Sequence, residues 1–197
     1  PAVARFAFDK RRQTRLAEKR AIAAAAARRV EPGMNLILDT GTTTLEIARC
    51  LTGIAELRIL TTSLAIASAL FAHENVELIL LGGTVRRGSP DLTGRLTEEN
   101  LQSYRTDIAF IGADAVDPDG LYTGSESIAR VSRAMIASAR RTVLVADSSK
   151  FGQTAFAKFA TWADVDGAVV DEDLDSRHRQ WLDTTANGVV YAPRRTA

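Results

Sequence analysis

Sulfur and imidazole are scarce in this chain, which holds one cysteine, Cys50, and two histidines, His73 and His178. A lone cysteine excludes an intrachain disulfide, and its place inside the apolar-periodic segment LEIARCL reads as a buried, inert thiol compatible with a reducing cytoplasm. Neither histidine belongs to a cluster with ligand spacing, so no metal site is expected and both read as solvated helix-end residues. Long apolar runs are missing too. The longest, AIAAAAA at 21–27, is far short of a membrane span, and Glu18, Lys19 and Arg20 just before it make it an alanine-rich helix rather than a secretory leader. A soluble, cytoplasmic protein without cofactor is the expectation.

What the chain does have is enough apolar residue for a proper core: 46% of 197 residues, the size of one ordinary domain. Its net charge of +1 conceals an asymmetry. Residues 1–30 carry nine Lys and Arg against Asp9 and Glu18, a balance of +7, which leaves −6 for the rest. A basic arm on an acidic body points the N-terminal end toward nucleic acid or another polyanion. The chain therefore divides into a basic linker and N-terminal helix, 1–30, and a body, 31–197.

Seven short, nearly all-apolar runs have strand character: MNLIL from 34, LRIL from 57, VELILL from 76, DIAFI from 107, TVLVA from 142, GAVV from 167 and GVVY from 188. Continuous runs without strict alternation indicate strands covered on both faces. Segments with helical spacing at 44–52, 63–72, 97–104, 126–140 and 174–183 separate most of them. The pattern is α/β, an open, mostly parallel twisted sheet with helices on both faces, and such sheets bind ligands at the carboxyl ends of their strands.

The loops after the strands carry the polar chemistry. In LDTGTTTLEIA, Thr43 reads as a helix cap with Glu46 completing a capping box; alternatively, the hydroxyls of Thr42, Thr43 and Thr44 and the first-turn N–H groups after Gly41 await an anion. Thr61, Thr62 and Ser63 repeat the arrangement one unit later, with Ser63 an N-cap for LAIASAL. One hydroxyl per helix suffices for capping, so the surplus favours a phosphate or polyol pocket. Lys150, closing ADSSK, either swings over the loop mouth to neutralise a phosphate or points into water, and Asp147 with Ser148 and Ser149 forms a turn. Arg86 and Arg87 stand in a glycine-bounded loop, GGTVRRG, that is either a lid or an ordinary solvated loop.

The ordered set EKRAIAAAAARRVEPGMNLILDTGTTTLEIA, LTTSLAIASAL, LILLGGTVRRGSPDLTG, DIAFIGADAVDPDGLYTGSE, RAM and VLVADSSKFG resembles the C-terminal effector domain of DeoR-type bacterial transcriptional repressors, from about Phe8 to about Asp173. The resemblance implies a fold related to ribose-5-phosphate isomerase and the CoA-transferases, and a phosphorylated sugar or polyol as effector. It implies a site built from Asp39, Gly41, Thr42, Thr43, Thr44, Thr61, Thr62, Ser63, Gly82, Gly83, Asp114, Glu126 and Lys150. One departure is Thr62, where the family has asparagine in a Thr-Asn pair; a hydroxyl has fewer donors and a shorter reach. The family's N-terminal winged helix-turn-helix has no counterpart here, so the chain reads as a truncated or proteolysed product that binds DNA poorly by itself. A homo-oligomer, dimer or tetramer, is expected because such repressors read two-fold operators.

Catalysis is the competing reading. GADAVD resembles the acidic motif of ribose-5-phosphate isomerase, with Glu126 a candidate base, but enediolate chemistry also needs an electrophile. No Lys or Arg lies between Asp114 and Arg130. CoA transfer would require Glu126 to act as an acyl nucleophile without a CoA site, and a purely oligomerising domain would leave the polar loops unexplained. The expectation is a sensor, not an enzyme, in which bound phosphate draws the 82–94 or 117–126 loop inward and the movement passes to the arm at 1–30.

Overall fold

The computed structural model describes residues 2–194, with side-chain environments from Phe8 onward. In chain order its elements are α1 (Ala2–Gln13), α2 (Leu16–Ala27), β1 (Asn35–Leu38), α3 (Thr42–Leu51), β2 (Leu57–Thr61), α4 (Leu64–Leu70), β3 (Val76–Leu80), β4 (Thr84–Val85), β5 (Leu92–Thr93), α5 (Arg95–Gln102), β6 (Thr106–Ile111), β7 (Ala115–Asp117), β8 (Gly120–Thr123), α6 (Glu126–Ala137), β9 (Ala139–Ala146), β10 (Ala157–Ala160), β11 (Gly167–Asp171), α7 (Ser176–Thr185) and β12 (Val189–Ala192). Single 3₁₀ turns occupy 148–150 and 162–164.

Each of the seven apolar runs contributes a strand to one sheet, parallel throughout, in the order β12-β11-β9-β6-β1-β2-β3. Alternate side chains feed two separate cores. Leu36, Leu38, Ile108, Phe110 and Val169 pack with α2, α3 and α4 on one face. Ile37, Ala109, Ile111, Leu144 and Val170 pack with α5, α6 and α7 on the other. Both faces are thus dry, which is why the strands read as unbroken apolar runs.

The strand order reverses between β1 and β6. From β1 the chain moves to β2 and β3, sending α3 to the first face; from β6 it moves to β9, β11 and β12, with α6 on the second. Register aligns Leu38 with both Thr61 and Phe110, so the segments leaving β1, β2 and β6 emerge along one edge. A crevice at the carboxyl ends of β1 and β6 follows from this topology.

Short antiparallel pieces escaped the sequence reading. β10, β8 and β7 form a small sheet, and β4 pairs with β5 across the 82–94 loop. Strands of two to four residues are too short to show a period. Turn chemistry marks them instead: Asp117 Oδ1 accepts from the N–H groups of Asp119 (2.8 Å) and Gly120 (3.0 Å). Gly120, at φ 145°, lies so close to the Ala160 carbonyl that an added Cβ would stand 2.1 Å from its oxygen.

Two local expectations are corrected. α3 begins at Thr42, which puts Thr43 inside the first turn and leaves Gly41, with no side chain to offer, as the cap residue; Thr44 Oγ1 donates back to the carbonyls of Asp39 (2.7 Å) and Gly41 (2.8 Å). Glu46 completes no capping box; its buried carboxylate pairs with Arg49 at 2.5 Å and Arg20 at 3.6 Å. Cys50 is exposed rather than buried, since the buried stripe of α3 runs through Leu45, Ile47, Ala48 and Leu51 and leaves Cys50 outside it. By contrast, Ser63 Oγ caps α4 by accepting from the Ile66 N–H at 3.2 Å, and Asp147 Oδ1 accepts from the Ser149 N–H at 3.1 Å.

The alanine-rich α2 is part of the body. Ile22, Ala23 and Ala26 are fully buried against α3, β11 and β12, and small side chains let the helix approach the sheet closely. The chain breaks between α1 and α2 at Arg15, whose φ of 53° and ψ of 43° lie in the left-handed region, at a cost of about 1–2 kcal/mol for an L residue. If α2 belongs to the core, Ile22→Ala should lower stability by about 2–5 kcal/mol in urea unfolding; a loss below about 0.5 kcal/mol would show that the helix is peripheral.

Candidate functional site

The crevice between β1 and β6 opens into a cavity of ≈ 380 Å³. Its lining comes from four places: the 39–44 turn after β1, the 112–114 segment after β6, the 146–150 turn after β9, and the end of α1 with the start of α2. Arg86, Ser89, the 123–125 segment, Ile128 and Ser132 of α6 and Phe159 complete it.

Asp39 ties the two strands together. Its carboxylate accepts from the Thr40 N–H at 2.7 Å through Oδ1 and from the Gly112 N–H at 3.0 Å through Oδ2, bridging the segments that leave β1 and β6. Burial pushes its carboxyl up to about 6; the two backbone donors oppose that shift, and nearby Asp91 and Asp114 add to it. Asp114, more exposed, accepts from Thr123 Oγ1 and the Gly124 N–H, each at 2.9 Å.

Beside Asp39, α3 starts without a cap. The backbone donors of its first turn face the cavity together with the hydroxyls of Thr42 and Thr43, which make no hydrogen bond among the described residues. Such a terminus presents unpaired N–H groups and a partial positive charge.

The cations of the lining differ in what already holds them. Arg86 is bound through two hydrogen bonds to the fully buried Asp91, at 3.0 and 2.8 Å. Lys19 Nζ donates to the carbonyls of Arg11, at 2.7 Å, and Thr14. Burial lowers its pKa, with Asp147 opposing. Arg15 is engaged by Ser148, Asp147 and Asp171. Lys150 sits at the end of a turn fixed by Asp147 and Asp171, yet its own ammonium has no carboxylate partner among the described residues. Lys10 and Arg11, both exposed, also have none. Three lining cations are therefore uncommitted, and no lining carboxylate faces them in a direct pair.

Of the residues singled out from sequence, Asp39, Gly41, Thr42, Thr43, Thr44, Asp114 and Lys150 line this cavity. Thr61, Thr62, Ser63, Gly82, Gly83 and Glu126 do not. Thr61 Oγ1 donates to the Leu38 carbonyl at 2.7 Å, behind the 39–44 turn. Thr62 Oγ1 is buried with no hydrogen-bond partner among the described residues. The Gly82 carbonyl accepts from Thr97 Oγ1 at 2.7 Å, and Gly83, at φ 152°, packs on the same threonine. Glu126 is exposed at the start of α6. Sequence reasoning missed Lys10, Arg11, Arg15 and Lys19. The basic balance of residues 1–30 was the available signal, and it carried no sign that four of those cations line the cavity.

Residues 14–172 match the family model described as the DeoR C terminal sensor domain. The chain is 40% identical over 159 residues to the putative aga operon transcriptional repressor of Escherichia coli O157:H7, covering 80% of this chain and 59% of that protein. It is 33% identical over 162 residues to the glycerol-3-phosphate regulon repressor of Escherichia coli strain K12, covering 82% and 64%. The chain thus spans about three fifths of these relatives. Among solved structures, a Pyrococcus horikoshii OT3 translation initiation factor eIF-2B aligns with a TM-score of 0.54 at 18% identity, covering 77% of this chain and 62% of that one. Ribose 5-phosphate isomerase A from Methanocaldococcus jannaschii aligns with a TM-score of 0.50 at 23% identity, covering 68% and 53%. At such identities the likeness shows the fold alone.

The environment of Asp39 generates a pH prediction. A carboxyl whose folded pKa is raised from an unfolded value near 4 to about 6 stabilises the fold fully below about pH 4 and loses that contribution as pH rises through 6. The span is worth roughly 3 kcal/mol. Carbon-13 NMR of the Asp39 carboxyl should show a midpoint near 6, and a midpoint near 4 would refute the burial argument.

Proposed function

The chain belongs to the family of DeoR C terminal sensor domains, and from that premise we propose that its cavity binds the phosphate of a phosphorylated sugar or polyol and reports it to DNA through a winged helix-turn-helix elsewhere on the full-length regulator. The observation that carries the reading is a convergence on one cavity: the uncapped start of α3, the free hydroxyls of Thr42 and Thr43, and the unpaired ammonium of Lys150. A helix N-terminus and a lysine point charge together suit a dianion. Asp39 and Asp114, as acceptors, suit the hydroxyls of a polyol carried by that phosphate. Gly41 lets the ligand approach the backbone, and Thr44, whose hydroxyl is spent on two carbonyls, holds the turn in shape. Thr61 supports the 39–44 turn from behind the lining, Glu126 stands at its margin beside Ser125, and Thr62, Gly82 and Gly83 lie outside it.

In this reading the ligand is recognised and not transformed. The relatives carry the names of regulators, one of them a glycerol-3-phosphate regulon repressor, and the likeness to an isomerase extends only to fold. Binding alters operator affinity only through differential affinity for two conformations, and coupling of about 1–3 kcal/mol corresponds to roughly 5- to 150-fold. A homo-oligomer fits a two-fold operator, and sedimentation of a monomer at micromolar concentration would count against it. Action on DNA places the regulator in the cytoplasm. Among the described residues no helix is long and apolar enough to cross a membrane.

Calorimetry against glycerol 3-phosphate and a panel of sugar phosphates, with the unphosphorylated compounds as controls, tests the proposal. Phosphorylated forms should bind preferentially. Lys150→Ala should weaken the best of them by about 10- to 100-fold, the worth of a charge-assisted hydrogen bond, and Thr43→Val by about 3- to 10-fold. Equal binding of the free polyols, or isomerase turnover by the same sample, would overturn it.

A further inference from the structure

One wall of the cavity belongs to the joint between α1 and α2. Arg15, at that joint, stands amid four carboxylates: Asp171 at 3.3 Å, Asp147 at 3.5 Å, Asp173 at 3.6 Å and Glu18 at 3.7 Å. It donates to Ser148 Oγ at 2.6 Å, while its buried Nε has no hydrogen-bond partner among the described residues. The guanidinium is therefore held by charge from several sides but left one bond short. One turn further on, Lys19 Nζ clasps the Arg11 and Thr14 carbonyls and so fastens the end of α1 onto α2.

Two opposing tendencies meet here. A left-handed arginine between two helices stores backbone strain that a continuous helix through residues 2–27 would release. The Arg15 cluster and the Lys19 clasp hold the bend against that strain. In the bent form the last turn of α1 brings Lys10 and Arg11 to the cavity, where neither meets a carboxylate among the described residues. Water solvates both in the open cavity, and an anion bound there would give them the ion pairs they lack. Ser148 and Asp147, which engage Arg15, belong to the same turn as Lys150, so the joint and the anion site share one structural element.

Resting on the anion-sensing reading, we propose that α1 is a movable wall of the site: the bound phosphoester holds α1 bent over the cavity through Lys10 and Arg11, and without it α1 and α2 tend toward one straight helix, with Arg15 and Ser148 as the latch. A ligand that contacts Lys10 and Arg11 only in the bent form has the differential affinity needed to shift the balance. The signal leaves through α1, not through the 82–94 loop, which is pinned to the start of α4 by the Ser63–Asp91 bridge and by the Leu64 N–H donating to the Pro90 carbonyl at 2.8 Å.

The exposed Cys50 on α3 and an Asp9→Cys substitution on α1 provide two spin-label positions for distance measurements between the helices. Glycerol 3-phosphate, or whichever phosphoester calorimetry shows to bind, should move the population toward the shorter distance, with a shift in the equilibrium of about 5-fold or more. Ser148→Ala, which deletes the hydroxyl that Arg15 bonds, should enlarge the longer-distance population before ligand is added. Calorimetric binding with a distance distribution that ligand does not change would overturn this inference and leave the proposed function standing. Failure of every phosphoester to bind would overturn both.

Discussion

Two neighbouring parallel strands that send their following helices to opposite faces cannot close the space beyond their carboxyl ends, and the site depends on that gap. β1 leads to α3 on one face and β6 to α6 on the other, so the backbone diverges just past Leu38 and Ile111. Asp39 spans the divergence with hydrogen bonds to Thr40 and Gly112. A carboxylate there, rather than another apolar residue, keeps the edge polar and gives two part-buried N–H groups a partner. The cost of burying it appears in the upward pull on its pKa.

Charge in the cavity is organised by commitment. Arg86 and Arg15 are tied to buried carboxylates, and Lys19 to backbone carbonyls, so these cations hold loops and helices in place. Lys150, Lys10 and Arg11 are left over. An ion pair already made inside a protein contributes little toward a ligand, because the ligand must compete with the resident partner for it. The uncommitted cations and the uncapped first turn of α3 are consequently the groups that a phosphate would use, and they arise from three different stretches of chain.

The joint at Arg15 extends the same logic. One arginine gathers carboxylates from α2, from the turn after β9, from the end of β11 and from the segment that follows it, at the bend between α1 and α2. Ser148 and Asp147 neighbour Lys150, so the turn that lines the cavity after β9 also contacts the residue at the bend between α1 and α2.

Much of the fold was legible in the sequence because parallel strands buried on both faces declare themselves as apolar runs, and all seven such runs became neighbours in one sheet. The hydroxyl-rich turns at Thr42 and Ser63, each opening a helix, were legible for the same local reason. Short antiparallel strands such as β7 and β8 lack the length to show a period. Helix phase was also out of reach at Cys50, where one residue's difference in register separates buried from exposed. By itself the sequence determined the strands, their helices and the chemistry of the loops, all of which depend on neighbours a few residues apart. Only the tertiary structure decided which loops share a cavity and that the basic arm folds back to supply Lys10, Arg11, Arg15 and Lys19, because that depends on strand order, on a single left-handed turn and on contacts between residues far apart in the chain, such as Arg15 with Ser148 and Asp39 with Gly112.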